Sequence, residues 1–169
     1  QPFEVDWAPA QEWIALGATR LVQNAAEETL TILVREGARR VLGTEDGGLL
    51  RLAWSPDGRW LTTFTFERDA FRAVVRDVEG HVLFEGEDAF ISWSPTGRYM
   101  AVTQDPLRLR ILDVESREWR SFETPENCWP PTWNPLFRHQ EPMRRNGSLM
   151  PWLEWRSSIQ TCDLPHCQP

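Results

Sequence analysis

The chain has 169 residues, 41% of them hydrophobic and 25% charged, which gives too much apolar content for disorder and suits one folded domain. Its apolar stretches, such as Leu52-Ala53-Trp54, are broken by charge or turn residues within a few positions, far short of the about 20 residues that a transmembrane helix needs. A net charge of -7, from 18 basic and 25 acidic residues, excludes a nucleic-acid backbone as the main partner, because that calls for a clustered basic face.

All 18 basic residues are Arg, so lysine nucleophile and Schiff-base chemistry are excluded as well. Ten Trp against one Tyr is the other bias, and the Trp positions follow a repeat.

Taken in chain order, the pattern predicts short strands in groups of four. In the first unit, Val5-Asp6-Trp7 leads into Ala8-Pro9 and a return strand from Trp13, then Thr29 to Arg35 and Ala38 to Gly43 form the third and fourth strands. In the second, a strand ending at Trp54 enters the turn Ser55-Pro56-Asp57-Gly58. The returns are Arg59 to Phe66, Phe71 to Val78 and His81 to Glu85. In the third, a strand ending at Trp93 enters Ser94-Pro95-Thr96-Gly97, followed by Arg98 to Gln104, Leu107 to Val114 and Glu118 to Phe122. Pro presets φ for the second turn position and Gly takes a conformation that side chains disfavour, so each of these two motifs reads as a tight hairpin. A fourth unit begins at Trp133-Asn134-Pro135. The spacings between Trp7, Trp54, Trp93 and Trp133 are 47, 39 and 40 residues.

A period near forty residues marks a repeat architecture. The core Trp54-Ser55-Pro56-Asp57-Gly58-Arg59 and its echo from Trp93 to Arg98 resemble the WD-like repeat of TolB-type β-propellers, over roughly residues 3 to 135. The resemblance implies an all-β chain of blade-like antiparallel units near 3–48, 49–88 and 89–127. A degenerate fourth blade then draws on the Pro/Trp/Arg-rich segment 136–169, unless the chain is a segment of a larger propeller and 136–169 is a docking tail. Trp54, Pro56, Gly58, Trp93, Pro95, Gly97, Trp133 and Pro135 are the structural repeat positions. Trp7, Trp54, Trp93 and Trp133 are expected to pack between blades.

The sequence offers no catalytic constellation. Gly-x-Ser-x-Gly is absent, Asn146-Gly147-Ser148 being its nearest approach, and His81, His139 and His166 are scattered. Cys162, His166, Cys167 and Cys128 form a poor zinc set, because adjacent His166 and Cys167 struggle to face one ion. The three cysteines are instead disulfide candidates with three pairings open, and no metal or cofactor is expected. The chain begins at Gln1 with no charged-then-apolar leader. That start, the cysteines and the resemblance together point to an extracytoplasmic location, secreted or periplasmic.

Sorting the loops by the end of the propeller they occupy gathers acid on one rim. Glu45, Asp46, Glu67, Asp69, Glu87, Asp88 and Asp105 are its expected members, with Arg72 and Arg108 among the few cations there, while Arg76 belongs to the opposite, balanced end. Such a rim attracts a protein partner with a basic surface. A second surface is the tail, where Trp129, Trp152 and Trp155 with Arg144 and Arg145 suit docking to a larger assembly or a homo-oligomer. The expected function is therefore a non-catalytic protein-interaction or scaffolding module. The alternatives are carbohydrate binding by exposed Trp and the propeller portion of a protease-like enzyme.

Overall fold

The computed structural model describes residues 3–9, 11–22, 27–67, 69–105, 107–123, 132–133 and 159–160. Cys128, Trp129, Pro135, Arg144, Arg145, Trp152, Trp155, Cys162 and Cys167 lie outside the described residues. So the tail and disulfide expectations stay expectations.

Every regular element among the described residues is a strand. The first sheet joins β1 (Phe3–Trp7), β2 (Ile14–Leu21), β3 (Glu27–Arg35) and β4 (Ala38–Asp46); the second joins β5 (Gly48–Trp54), β6 (Trp60–Glu67), β7 (Ala70–Asp77) and β8 (Val82–Glu87). The third joins β9 (Phe90–Trp93), β10 (Tyr99–Asp105), β11 (Arg108–Asp113) and β12 (Glu118–Glu123). A two-stranded pair, β13 (Thr132–Trp133) with β14 (Ile159–Gln160), follows. All neighbours are antiparallel and sequential. The fold is all-β and compatible with a propeller segment of three four-stranded blades. Among the described residues, no helix is long and apolar enough to cross a membrane.

The chain divides into two compact units, residues 1–89 with blades 1 and 2, and residues 90–169 with blade 3 and the strand pair. In the first unit, Ala8, Ala15 and Leu33 of blade 1 share a buried cluster with Leu52, Trp54 and Leu61 of blade 2. In the second, Tyr99, Ala101, Leu109 and Ile111 form a separate buried cluster with Phe122 packed against it.

The repeat motif closes its hairpins through the serine. Ser55 N–H donates to Trp60 O at 2.7 Å, Trp60 N–H donates back to Ser55 Oγ at 3.0 Å, and Gly58 N–H donates to Ser55 O at 2.8 Å. Ser94, Tyr99 and Gly97 repeat the three bonds at 2.9, 3.0 and 2.9 Å. The buried serine satisfies the groups that the sharp reversal would strand. Pro56 and Pro95 stay exposed at the turn corner. In the first unit Ala8 stands where the serine would be, keeping only the backbone bonds to Trp13 and Gln11.

Gly58 has φ +70 and is buried, and a Cβ there would collide with the backbone carbonyl of Pro9. Gly37 has φ +81 with nothing within 4 Å. Gly37→Ala is therefore expected to cost only the left-handed penalty, about 1 kcal/mol. Gly58→Ala adds an overpacking cost of about 1–3 kcal/mol. Urea unfolding of both variants measures the difference, and equal losses contradict the Pro9 contact.

Candidate docking face

Blade 1 has two unlike faces. Alternation along β2 and β3 puts Ala15, Gly17 and Thr19 with Thr29, Thr31 and Leu33 on one side, all buried. That side packs on blade 2. It is mostly small, and the fit is close: a Cβ on Gly17 would lie 2.7 Å from Leu49 Cδ2.

Polar bonds stitch the same seam. Leu52 N–H donates to Glu4 Oε2, Trp54 N–H donates to Asp6 Oδ2 at 2.8 Å, and the Trp54 indole N–H donates to Asp6 O at 3.2 Å. Leu49 N–H donates to Thr19 Oγ1 at 2.8 Å. Carboxylates on β1 thus accept the inward N–H groups of β5, which no neighbouring strand bonds.

At the outer strands the seam holds an ion pair. Glu45 on β4 is 4% exposed and pairs through Oε1 with Arg76 Nη1 of β7, while Arg72 pairs with Glu85 beside it. Gly43 leaves the room: a Cβ there would lie 3.0 Å from the Arg76 guanidinium. Burial pushes the Glu45 carboxyl above its ordinary range despite Arg76, and Glu45 Oε2 has no hydrogen-bond partner among the described residues. Arg76 stands on β7 beside the Asp77 turn, at the end expected for it, and its side chain reaches Glu45. This corrects one expectation: Glu45 is not an open rim acid. The cause is a bulge: Ile32 pairs with Val41 but Thr31 with Gly43, so β4 runs on through Glu45 to Asp46 with Glu45 opposite Thr29 on the packed side.

Among the described residues of the first unit, nothing covers the other face of blade 1. Val5 is 45% exposed, Trp7 66% and Val41 57%, with Ile14, Leu16, Leu30, Ile32 and Val34 half-buried beside them. Pairing fixes the equivalences to blade 2. Trp7 sits opposite Ile14 as Trp54 sits opposite Leu61, Val5 opposite Leu16 as Leu52 opposite Thr63, and Ile14 opposite Val34 as Leu61 opposite Arg76. Trp54, the repeat partner of Trp7, is 7% exposed. So the expectation that Trp7 packs between blades is corrected: the motif places the indole correctly, but among the described residues of the first unit no sheet meets this face of blade 1. Trp93 is half-buried, and of Trp133 only the backbone pairing with Ile159 is described.

The remaining expected rim acids stand at strand ends (Asp46, Glu67, Glu87, Asp105) and in turns (Asp69, Asp88). Asp46, Asp69, Glu87, Asp88 and Asp105 are exposed, and Glu67 is half-buried. Asp88 also has a local duty, since its Oδ1 accepts Phe71 N–H at 3.3 Å and its own N–H donates to Phe71 O at 2.6 Å. Asp69 and Asp88 take left-handed backbone, φ 68 and φ 47.

Asp77, Glu79 and His81 bring three potential ligand atoms within 4.8 Å of one another. The turn itself uses them: Asp77 Oδ1 accepts Glu79 N–H and His81 N–H at 3.0 and 2.8 Å, and Oδ2 meets His81 Nδ1 at 2.9 Å. Burial works to raise the Asp77 carboxyl, but the bonds from His81 and Glu79 outweigh it and hold it below its usual range.

No family model matches the sequence, and no curated protein matches it. Solved structures similar to it include an uncharacterized protein from Listeria monocytogenes, at 10% identity and a TM-score of 0.49, covering 78% of this chain and 42% of that one. The β-propeller domain of the Trilobed protease from Pyrococcus furiosus has 18% identity and a TM-score of 0.49, covering 73% and 43%. TolB from Acinetobacter baumannii has 16% and 0.47, covering 73% and 34%. The chain spans less than half the length of each.

Removing one member of the buried pair tests the seam. Arg76→Met leaves the Glu45 carboxylate buried alone and is expected to cost about 3–5 kcal/mol, whereas Arg76→Met with Glu45→Leu recovers most of it. A raised carboxyl binds its proton more tightly in the folded chain than in the unfolded one. Its contribution therefore favours folding most below the unfolded value of 4.5 and is lost as pH rises through the higher folded value. Urea melts of the parent and Glu45→Gln across that window are expected to diverge, with the parent gaining on the variant as pH falls. Parallel curves contradict the burial.

Proposed function

We propose that the chain is a non-catalytic protein-interaction module that docks a partner on the open face of blade 1. One observation carries this: Trp7 is 66% exposed amid apolar neighbours, while its repeat equivalent Trp54 is 7% exposed in a seam. A sheet face of this kind must be covered, a contiguous apolar patch on a folded chain marks an interaction site, and a central Trp is the residue type that most often anchors one.

The acid-bearing loop end of the first unit is a second surface, favoured by the exposure of Asp46, Asp69, Glu87 and Asp88. It suits a basic partner by speeding encounter rather than by holding it. The extracytoplasmic setting rests on the sequence resemblance.

Affinity capture from the native source by the parent chain and by Trp7→Arg tests the reading. The variant is expected to lose at least about 2 kcal/mol of binding, roughly thirtyfold, to a discrete partner, with the melting curve unchanged. Reversal of Asp46, Asp69, Glu87 and Asp88 to Arg is expected instead to slow association and weaken its dependence on salt. An identical partner set bound equally well by Trp7→Arg removes the blade 1 face from the function.

A further inference from the structure

We infer that the β3–β4 hairpin end of blade 1 is an oxyanion site, in which Arg35 and Arg40, held against Trp13, take a phosphate group. Repeat equivalence sets the position apart. Ile14 pairs with Val34 as Leu61 pairs with Arg76 and Met100 with Leu112. The next residue, Arg35, therefore stands where blades 2 and 3 have Asp77 and Asp113. Those two aspartates tie their own turns: Asp77 Oδ1 accepts Glu79 N–H and His81 N–H, and Asp113 Oδ1 accepts Glu115 N–H and Ser116 N–H. Blade 1 reverses instead through Glu36 and Gly37, both left-handed at φ 47 and φ 81, with Arg35 paired to Ala38. A two-residue turn of this kind needs no side-chain tie. The position is released from that structural duty, and it carries a cation.

The geometry gathers charge there. Leu33 pairs with Arg40, and Arg35 lies two residues beyond Leu33, so both arginines stand on the Leu33 side of the sheet as diagonal neighbours, away from the open face. The Arg35 guanidinium carbon is 5.6 Å from the Trp13 ring centroid and that of Arg40 is 6.0 Å. Trp13 is half-buried and packs on the cluster that contains Leu33, so it is a fixed platform for both. Two cations that converge on one ring repel each other, and a shared anion relieves the repulsion. Among the described residues, the acid paired with either is Glu12, whose Oε2 is 3.2 Å from Arg35 Nη2, and the two side chains are 65% and 47% exposed. An ion pair so exposed is weak, which makes Glu12 a competitor that an incoming anion displaces. The chemistry favours phosphate over carboxylate. One guanidinium fork satisfies both oxygens of a carboxylate, whereas a phosphate group has three acceptor oxygens and close to two negative charges, enough for two forks at once.

Calorimetric titration of the full chain tests this, with inorganic phosphate, with a Gly/Ala-flanked phosphoserine peptide and with the same peptide unphosphorylated. Both phosphate sources are expected to bind, and Arg35→Gln and Arg40→Gln each to weaken them roughly tenfold. Glu12→Gln is expected to strengthen binding, because the competing carboxylate is gone. Arg39→Gln is the control for charge alone: it removes the same charge from the adjacent residue, which pairs with Val34 and so points to the other side of the sheet, and it is expected to change little. All four side chains lie at the hairpin end, and melting curves report whether each variant keeps the parent fold. A peptide bound more tightly than the free ion assigns the source to a phosphorylated partner, and equal affinities assign it to free phosphate. Three results overturn the inference: neither source binding at millimolar concentration, the unphosphorylated peptide binding as well as the phosphorylated one, or Arg39→Gln costing as much as Arg40→Gln.

Discussion

The seam between blades 1 and 2 is the contact on which the first unit depends, and it works by inequality. A blade with two large-residue faces would stack poorly, and one with two small faces would bury too little apolar area to fold. Blade 1 solves this by alternation: Ala15, Gly17, Thr19, Thr29, Thr31 and Leu33 on one side, Val5, Trp7, Ile14, Leu16, Leu30 and Ile32 on the other. The small side lets the backbones approach until Leu49 rests over Gly17. That closeness is what brings Glu4, Asp6 and Thr19 within reach of N–H groups on β5.

This accounts for where part of the acidity goes. Glu4 and Asp6 accept backbone N–H groups across the seam, and Glu45 is ion-paired inside it. Glu45 reads from the sequence as a rim charge, yet all three carboxylates fasten one sheet to the next. The net charge of -7 is accordingly a weaker guide to the outer potential than the count suggests, and the rim that remains is built from strand-end and turn residues such as Asp46, Asp69 and Asp88.

The strand plan was legible because the hairpin signal is local. Ser55-Pro56-Asp57-Gly58 and Ser94-Pro95-Thr96-Gly97 determine their own geometry, and alternation carried the count of strands outward from them. The placement of Glu45 was not legible, because one extra residue in β4 between the partners of Ile32 and Thr31 changes which side the following residues occupy. Reading the strand to end at Gly43 was natural for a glycine, but Gly43 is there to leave room for a guanidinium. The signal was the pairing of an acid near the end of one unit with the arginines of the next. It needed a register that only the fold supplies.

Trp7 marks a different boundary of sequence reasoning. The motif states what a residue is equivalent to, and Trp7 is indeed the equivalent of Trp54 in pairing and direction. Whether an equivalent position is buried depends on a neighbouring sheet, which is not a property of the repeat itself. Val34 and Leu30 stand on the open face of blade 1 where Arg76 and Arg72 stand on the packed face of blade 2. A face left to solvent would be expected to gain polar residues, not lose them. That apolar composition is what the proposed docking face rests on, and the asymmetry that holds blade 1 to blade 2 is the same one that sets its two faces apart.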